Sequence, residues 1–234
     1  MNTYAHLQKS LPSIENHLNY RFKDKSLLCL AFIHSSFVNE SRNFIKCNER
    51  LEFLGDAILG LIVSDFLYSR FPHYLEGKLS YIRACLVDTS ACAFYLQKID
   101  LESFLLMGKG EARNAGKGRS TTLANLFEAI IGAIYIDGGI EEAKSFIFGH
   151  FKEEMLHIIE NPLRNWKAEL QDFCQKNYQK VPEYVVVEER GPEHLKTFFV
   201  EVKLEGKKLG MGQGMSKKEA EQRAAKEAIY KSSP

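Results

Sequence analysis

Near residue 160 the chain changes rhythm. Before that point apolar residues recur at helical spacing: Leu51, Leu54, Ile58, Leu61 and Ile62 form one set, Leu79, Ile82 and Leu86 a second, and Leu123, Phe127, Ile130, Ile131 and Ile134 a third. Each run exceeds the length of an ordinary strand, so helices are expected. Breaks fall at FPHY (71–74), GKGEARNAGKG (108–118) and IDGG (136–139), where glycine and proline interrupt the pattern. Past IIENPLRNW, the segments EYVVVEE, HLKTFFVEVKLEG and KLGMGQGM read as strands with turn residues between them. They are framed by two helical stretches, NWKAELQDFCQKN and SKKEAEQRAAKEAIY. The expectation is an all-α domain over residues 1–160, a hinge at Pro162, and a small α+β domain, ordered α-β-β-β-α, over 161–234.

Composition excludes several classes. Hydrophobic residues make up 45% and charged residues 26% of the 234, an ordinary globular balance. No apolar run approaches the roughly 20 residues that span a bilayer, and MNTYAHLQKSLPSIENHL lacks the basic start and apolar stretch of a secretory signal. Five scattered cysteines without a CxxC pair argue against a disulfide framework or a zinc site, and for a reducing, cytoplasmic setting. The net charge of +1 is divided unevenly: residues 161–234 hold 14 Lys and Arg against 11 Asp and Glu, the remainder 17 against 19. Total charge is therefore a poor guide to the partner.

The stretch NERLEFLGD (48–56) places three carboxylates at the head of an apolar segment. On a helix, Glu49 and Glu52 differ by roughly 60°, and Asp56 returns to within roughly 20° of Glu49. Like charges at these spacings repel. A solvated acidic stripe is the plain reading; the apolar crowding favours a bound divalent cation, because Mg²⁺ takes oxygen ligands and removes the repulsion. In LANLFEAIIGAIYID a second pair, Asn125 and Glu128, shares one helix face. Two helices presenting oxygens inward can meet around a metal.

NERLEFLGD, followed by RFPHYLEGKLSYIRACLV and LLMGKGEARNAGKGRSTTLANLFEAIIGAIYIDGG, resembles the signature blocks of the ribonuclease III family, and the last 70 or so residues look like a double-stranded-RNA-binding domain. The resemblance implies a metal-dependent endonuclease for double-stranded RNA that works as a homodimer and leaves 5′-phosphate and 3′-hydroxyl ends, with rRNA precursors and other transcripts as substrates. It implies Mg²⁺, with Mn²⁺ as a substitute. Glu52, Asp56 and Glu128 match metal-ligand carboxylates, and Glu49 and Glu76 match acids that support RNA placement and catalysis. Phe53 matches an aromatic residue that enters a socket on the partner subunit, although its neighbours alone suggest core packing. Asn125 stands where the family usually has an aspartate; its carbonyl oxygen can still ligate a metal, but one negative charge is lost. A non-cleaving double-stranded-RNA-binding protein on the same fold is therefore the alternative.

In the second domain, Ser216 and Glu219 form a capping box that starts a helix at Lys217. Lys217 and Lys218 then lie where the helix end is already positive, a conflict that an RNA phosphate resolves. By resemblance, Gln171 and Gln175 reach minor-groove hydroxyls and His194 inserts into the groove. The loop GKGEARNAGKGRS fails the P-loop pattern, with Glu111 five residues before Gly116 and Gly118 after Lys117, so no nucleotide cofactor is expected. Its Lys109, Arg113, Lys117 and Arg119 are expected on RNA backbone. His34 is expected to bond at a helix end.

Overall fold

A computed structural model of the chain describes residues 4–41, 46–113, 118–160, 165–192 and 196–232. The chain divides into two compact units, 1–162 and 163–234; the expected hinge, Pro162, and the groove residue His194 lie outside the described residues.

The first unit runs α1 (Tyr4–Leu18), α2 (Lys25–Ala31), α3 (Ser35–Glu40), α4 (Glu49–Arg70), α5 (Glu76–Val87), α6 (Thr89–Lys98), a 3₁₀ turn at Glu102–Phe104, α7 (Lys109–Arg113), α8 (Arg119–Gly138) and α9 (Ile140–Glu160). At its centre lies α8, where every residue from Ala129 to Ile134 is buried along with Leu123, Ala124, Leu126 and Phe127. A helix apolar on nearly all sides has to be enclosed by others, and α2, α4, α6 and α9 pack around it.

Where α4 crosses α8 the two backbones touch. A Cβ on Gly55 would lie 1.8 Å from the carbonyl oxygen of Glu128, and one on Gly132 would lie 2.2 Å from that of Leu51. The contacts are reciprocal, so residues 51–55 run antiparallel to 128–132 along this seam. The start of α4 is held from the other side. Buried Asn48 donates its backbone N–H to Ile33 O (2.9 Å) and its Nδ2 to Ala31 O (3.0 Å).

Two expectations change here. Leu61 is 58% exposed rather than in the core. Phe53 is 80% exposed, which rules out simple core packing within one chain. The N-terminus of α7 is occupied from within, because Glu40 accepts from the backbone N–H of Lys109 (2.8 Å) and Gly110 (3.1 Å). His34 caps α3 as read, its Nδ1 accepting from Ser36 N at 3.2 Å.

The second unit comprises α10 (Trp166–Tyr178), β1 (Glu183–Arg190), β2 (Thr197–Leu204), β3 (Lys207–Gly214) and α11 (Lys217–Ser232). The strands form an antiparallel meander in the order β1-β2-β3. Glu205 and Gly206, at φ 49° and 77°, make the two-residue turn between β2 and β3, the form that matches the twist of paired strands. The core is small: Leu170, Cys174, Val200, Val202 and Leu204 meet Ala220, Ala224, Ala225 and Ala228. Gly210, Gly212 and Gly214 alternate along β3 and lie under α11; a Cβ on Gly212 would sit 2.2 Å from Ala220 O. Helix and strand thus approach to backbone contact.

Gly55→Ala is expected to destabilise the protein by about 3 kcal/mol or more, because backbone atoms must move to admit the methyl group. Gly149→Ala, at an exposed mid-helix site with nothing within 4 Å of the added carbon, should instead stabilise by about 0.5–1 kcal/mol. Urea unfolding of the two variants measures both effects.

Candidate active site

The α4–α8 seam sets the acidic side chains. Gly55 lies between Glu52 and Asp56, and its close contact is the backbone of Glu128 itself. Glu49 and Glu52 occupy the first turn of α4, where the helix dipole favours negative charge. Glu49 and Asp56 are exposed, whereas Glu52, Asn125 and Glu128 are half-buried. Glu128 emerges between Phe127 and Ala129, both fully buried, so its carboxylate borders apolar packing.

The electrostatics follow from that placement. Burial, then the charges of Asp56 and Glu52, push the Glu128 carboxyl up to about 7, against the opposing pull of a hydrogen bond from Cys92. Glu52 is raised by burial and by the neighbouring charge of Glu49, opposed by a hydrogen bond from Asn125, with Asp56 adding to the rise. Among the described residues, no Lys or Arg contributes to either shift. Among the described residues no three Asp, Glu, His or Cys side chains close into a cage able to hold an ion unaided. What lowers the two carboxyls comes from neutral groups, Asn125 on α8 for Glu52 and Cys92 on α6 for Glu128. The donor set is nevertheless hard, oxygen-rich and short of positive charge, which is the chemistry a divalent cation such as Mg²⁺ satisfies.

The remaining expected residues are dispersed. Glu76 opens α5 and accepts from Ser80 Oγ at 2.8 Å. It lines a groove of about 420 Å³ with Ser64, Leu67, Tyr68, Tyr74, Leu79, Ser80 and Arg83, a set that includes none of Glu52, Asp56 and Glu128. Arg119 is held by both oxygens of Glu102 at 2.8 Å, so it is engaged rather than offered to a ligand. Lys117 lies outside the described residues.

On the second unit, Gln171 and Gln175 stand one turn apart on α10, both exposed. Helix α11 begins at Lys217 as the capping box required. Glu219 N donates to Ser216 Oγ (3.2 Å), while the Glu219 carboxylate accepts from Met215 N (2.8 Å), one residue earlier than the standard box. Lys218 is exposed, and Lys217 lies 3.8 Å from Glu189 and over the Phe198 ring. Cys92 and Asn48 were missed by sequence reasoning. Asn48 could have been suspected from a polar residue opening the signature stretch; Cys92 carried no signal, because its effect on Glu128 joins two distant segments.

Acidic oxygens gathered at a helix crossing, ahead of an α-β-β-β-α unit, define a nucleic-acid hydrolase coupled to an RNA-binding module. The Ribonuclease-III-like family model matches residues 24–155, and the double-stranded RNA binding motif matches 166–231. Ribonuclease 3 of Protochlamydia amoebophila is 53% identical over 229 residues, 98% of this chain and 95% of that one. Ribonuclease 3 of Caldanaerobacter subterraneus is 44% identical over 222 residues, 94% of this chain and 97% of its own. The nuclease domain of ribonuclease III from Campylobacter jejuni superposes with a TM-score of 0.56 at 40% identity, covering 62% of this chain and 96% of that domain. The chain belongs to the ribonuclease III family. Its activity is endonucleolytic cleavage of double-stranded RNA.

The raised Glu128 predicts how stability varies with pH. Its folded value of about 7 exceeds the ordinary 4.5, so the ionised form opposes folding. The opposition is absent below about pH 4.5, grows between 4.5 and 7, and is complete above. In EDTA, Glu128→Gln should therefore melt higher than the parent at pH 8, by the equivalent of roughly 2 kcal/mol after allowance for partial exposure. The gap should close near pH 4.5, as followed by calorimetric melts across pH.

Proposed function

We propose that the protein acts in the cytoplasm as a homodimer, hydrolysing duplex RNA with a divalent metal held by Glu52, Asp56, Asn125 and Glu128. Mg²⁺ is the expected ion, with Mn²⁺ as a substitute; the products carry 5′-phosphate and 3′-hydroxyl ends, and the substrates include rRNA precursors and other transcripts. The observation that carries this reading is the half-buried acidic charge, matched by no described Lys or Arg, beside the Gly55–Gly132 contact. When bound, the metal polarises the phosphate and activates water as nucleophile.

The chain's own residues prepare that chemistry. Glu52, Asp56 and Glu128 supply carboxylate oxygens from two helices locked together at their backbones. Asn125 acts on Glu52 by lowering its carboxyl, and its amide oxygen is assigned to the ion. Glu49, exposed at the same end of α4, and Glu76, in the adjoining helix, are assigned to the path of the RNA. No observation favours the non-cleaving alternative.

Support for a dimer comes from the outer face of α4. Phe53, Leu61 and Tyr68 are exposed along roughly one side of the helix, with Leu75 beyond its end. Apolar side chains grouped in this way mark an association surface. The C. jejuni nuclease domain forms a dimer, and a two-fold pair would match the antiparallel strands of a duplex. Five free thiols and the absence, among the described residues, of a helix able to cross a membrane fit the cytoplasmic assignment. For the second unit, A-form RNA is recognised by shape, phosphates and 2′-hydroxyls. Gln171 and Gln175 are assigned to the minor groove with His194, and Lys217 and Lys218 to phosphate.

Incubation with a long RNA duplex tests cleavage. Shortening is expected with Mg²⁺ and not with EDTA, Glu128→Gln should shift the duplex on a gel without shortening it, and Asn125→Asp should cut at lower Mg²⁺. A shift without shortening by the parent protein in Mg²⁺ would overturn the assignment. Separately, the double change Lys217→Ala, Lys218→Ala should reduce the slope of log affinity against log salt by about 1.5, read from binding titrations at several salt concentrations.

A further inference from the structure

We propose that Glu189 is a positioning residue for duplex binding: its carboxylate holds the Lys217 ammonium group at the head of α11 and, through Lys196, ties that helix end to the start of β2. The inference rests on the assignment of Lys217 to an RNA phosphate.

A lysine in the first turn of a helix is pushed outward, because that end of the helix carries partial positive charge. Lys217 is the first residue of α11, yet two neighbours draw its ammonium group back to the fold. Glu189 Oε1 lies 3.8 Å from Nζ, and the centre of the Phe198 ring lies 5.6 Å from it. The two neighbours form one seat. Glu189 on β1 and Phe198 on β2 are partners directly across the strand pair, so their side chains share a face of the sheet. Phe198 packs against the core that joins β2 to α11, which puts Glu189 on the side of that helix. Pairing of β1 with β2 thus sets a carboxylate beside an aromatic ring, and α11 delivers a lysine to both.

The second oxygen of the same carboxylate is also engaged. Glu189 Oε2 lies 2.6 Å from Lys196 Nζ, and Lys196 immediately precedes β2. The two ammonium groups, Lys196 foremost, hold the Glu189 carboxyl below the usual carboxylate range, so it remains ionised at neutral pH. One anion between two cations leaves a net positive charge for a ligand. The longer contact steers Lys217 without consuming a donor, since 3.8 Å exceeds hydrogen-bonding distance. All three N–H groups of that ammonium stay available to phosphate oxygens. Plain electrostatics makes the opposite forecast: a carboxylate beside phosphate-binding lysines repels RNA, and its removal would tighten binding if it did nothing else. The sign of the change therefore separates a positioning residue from a competing anion.

The test is a double-mutant cycle on the full-length protein, with affinity for a labelled RNA duplex titrated in EDTA at fixed salt. Glu189→Gln should weaken binding about threefold, the scale of an ion pair that solvent screens, although it removes a negative charge. In cleavage with Mg²⁺ the same variant should raise KM by a similar factor and leave kcat unchanged. When Lys217→Ala is already present, Glu189→Gln should cause no further loss, because its effect passes through that lysine. Loss through unfolding of the RNA-binding unit would instead persist in both backgrounds. Unchanged or tighter binding in Glu189→Gln, or the same loss with and without Lys217, would overturn the positioning role. Lys217→Ala alone distinguishes the deeper failure: if it binds the duplex as the parent does, the phosphate assignment itself falls, and the role of Glu189 with it.

Discussion

The backbone contact between Gly55 and Gly132 governs the first unit. Helices separated by ordinary side chains lie 8–10 Å apart; here the absence of two Cβ atoms lets α4 and α8 touch. The carboxylates gain their proximity from this approach. Glu52 and Asp56 flank one glycine, and Glu128 contributes the carbonyl that the other helix would strike. Enclosure of α8 on several sides then prevents the helices from parting to relieve the charge.

That charge is a conflict which the fold tolerates. Burial and mutual repulsion lift Glu128 to about 7, and the compensation visible within the chain comes from neutral donors rather than cations. Sites whose chemistry demands such arrangements hold back the stability of their scaffold. The apolar packing of α8 and the tethering of Asn48 to the end of α2 supply what the acids remove. Local disagreement with good folding rules, surrounded by close agreement with them, is the mark of a functional site.

Much of this was legible in the chain. Helical spacing exposed the shared face of Glu49, Glu52 and Asp56, and alternation gave the three strands. The Ser216–Glu219 pair set the start of α11 to the residue. What escaped depends on contacts between distant segments or on the surface left uncovered. Leu61 and Phe53 have the spacing of core residues and lie outside, because periodicity reports a face without saying whether a partner within the chain covers it. Arg119 reads as a free cation until Glu102 is found beside it. The amides at the head of α7 are likewise closed from afar, by Glu40, 69 residues away from Lys109. The sequence holds no periodic trace of such pairings.

The seam of glycine and alanine between β3 and α11 has a thermodynamic corollary. Side chains this small remove little apolar area from water, and a unit of this size has few other places to gather any. Its folding equilibrium is therefore poised where an attached polyanion weighs heavily. A duplex that engages only the ordered form stabilises it by a free energy that grows with the logarithm of the duplex concentration. Capture of substrate and consolidation of the module that captures it are then a single equilibrium.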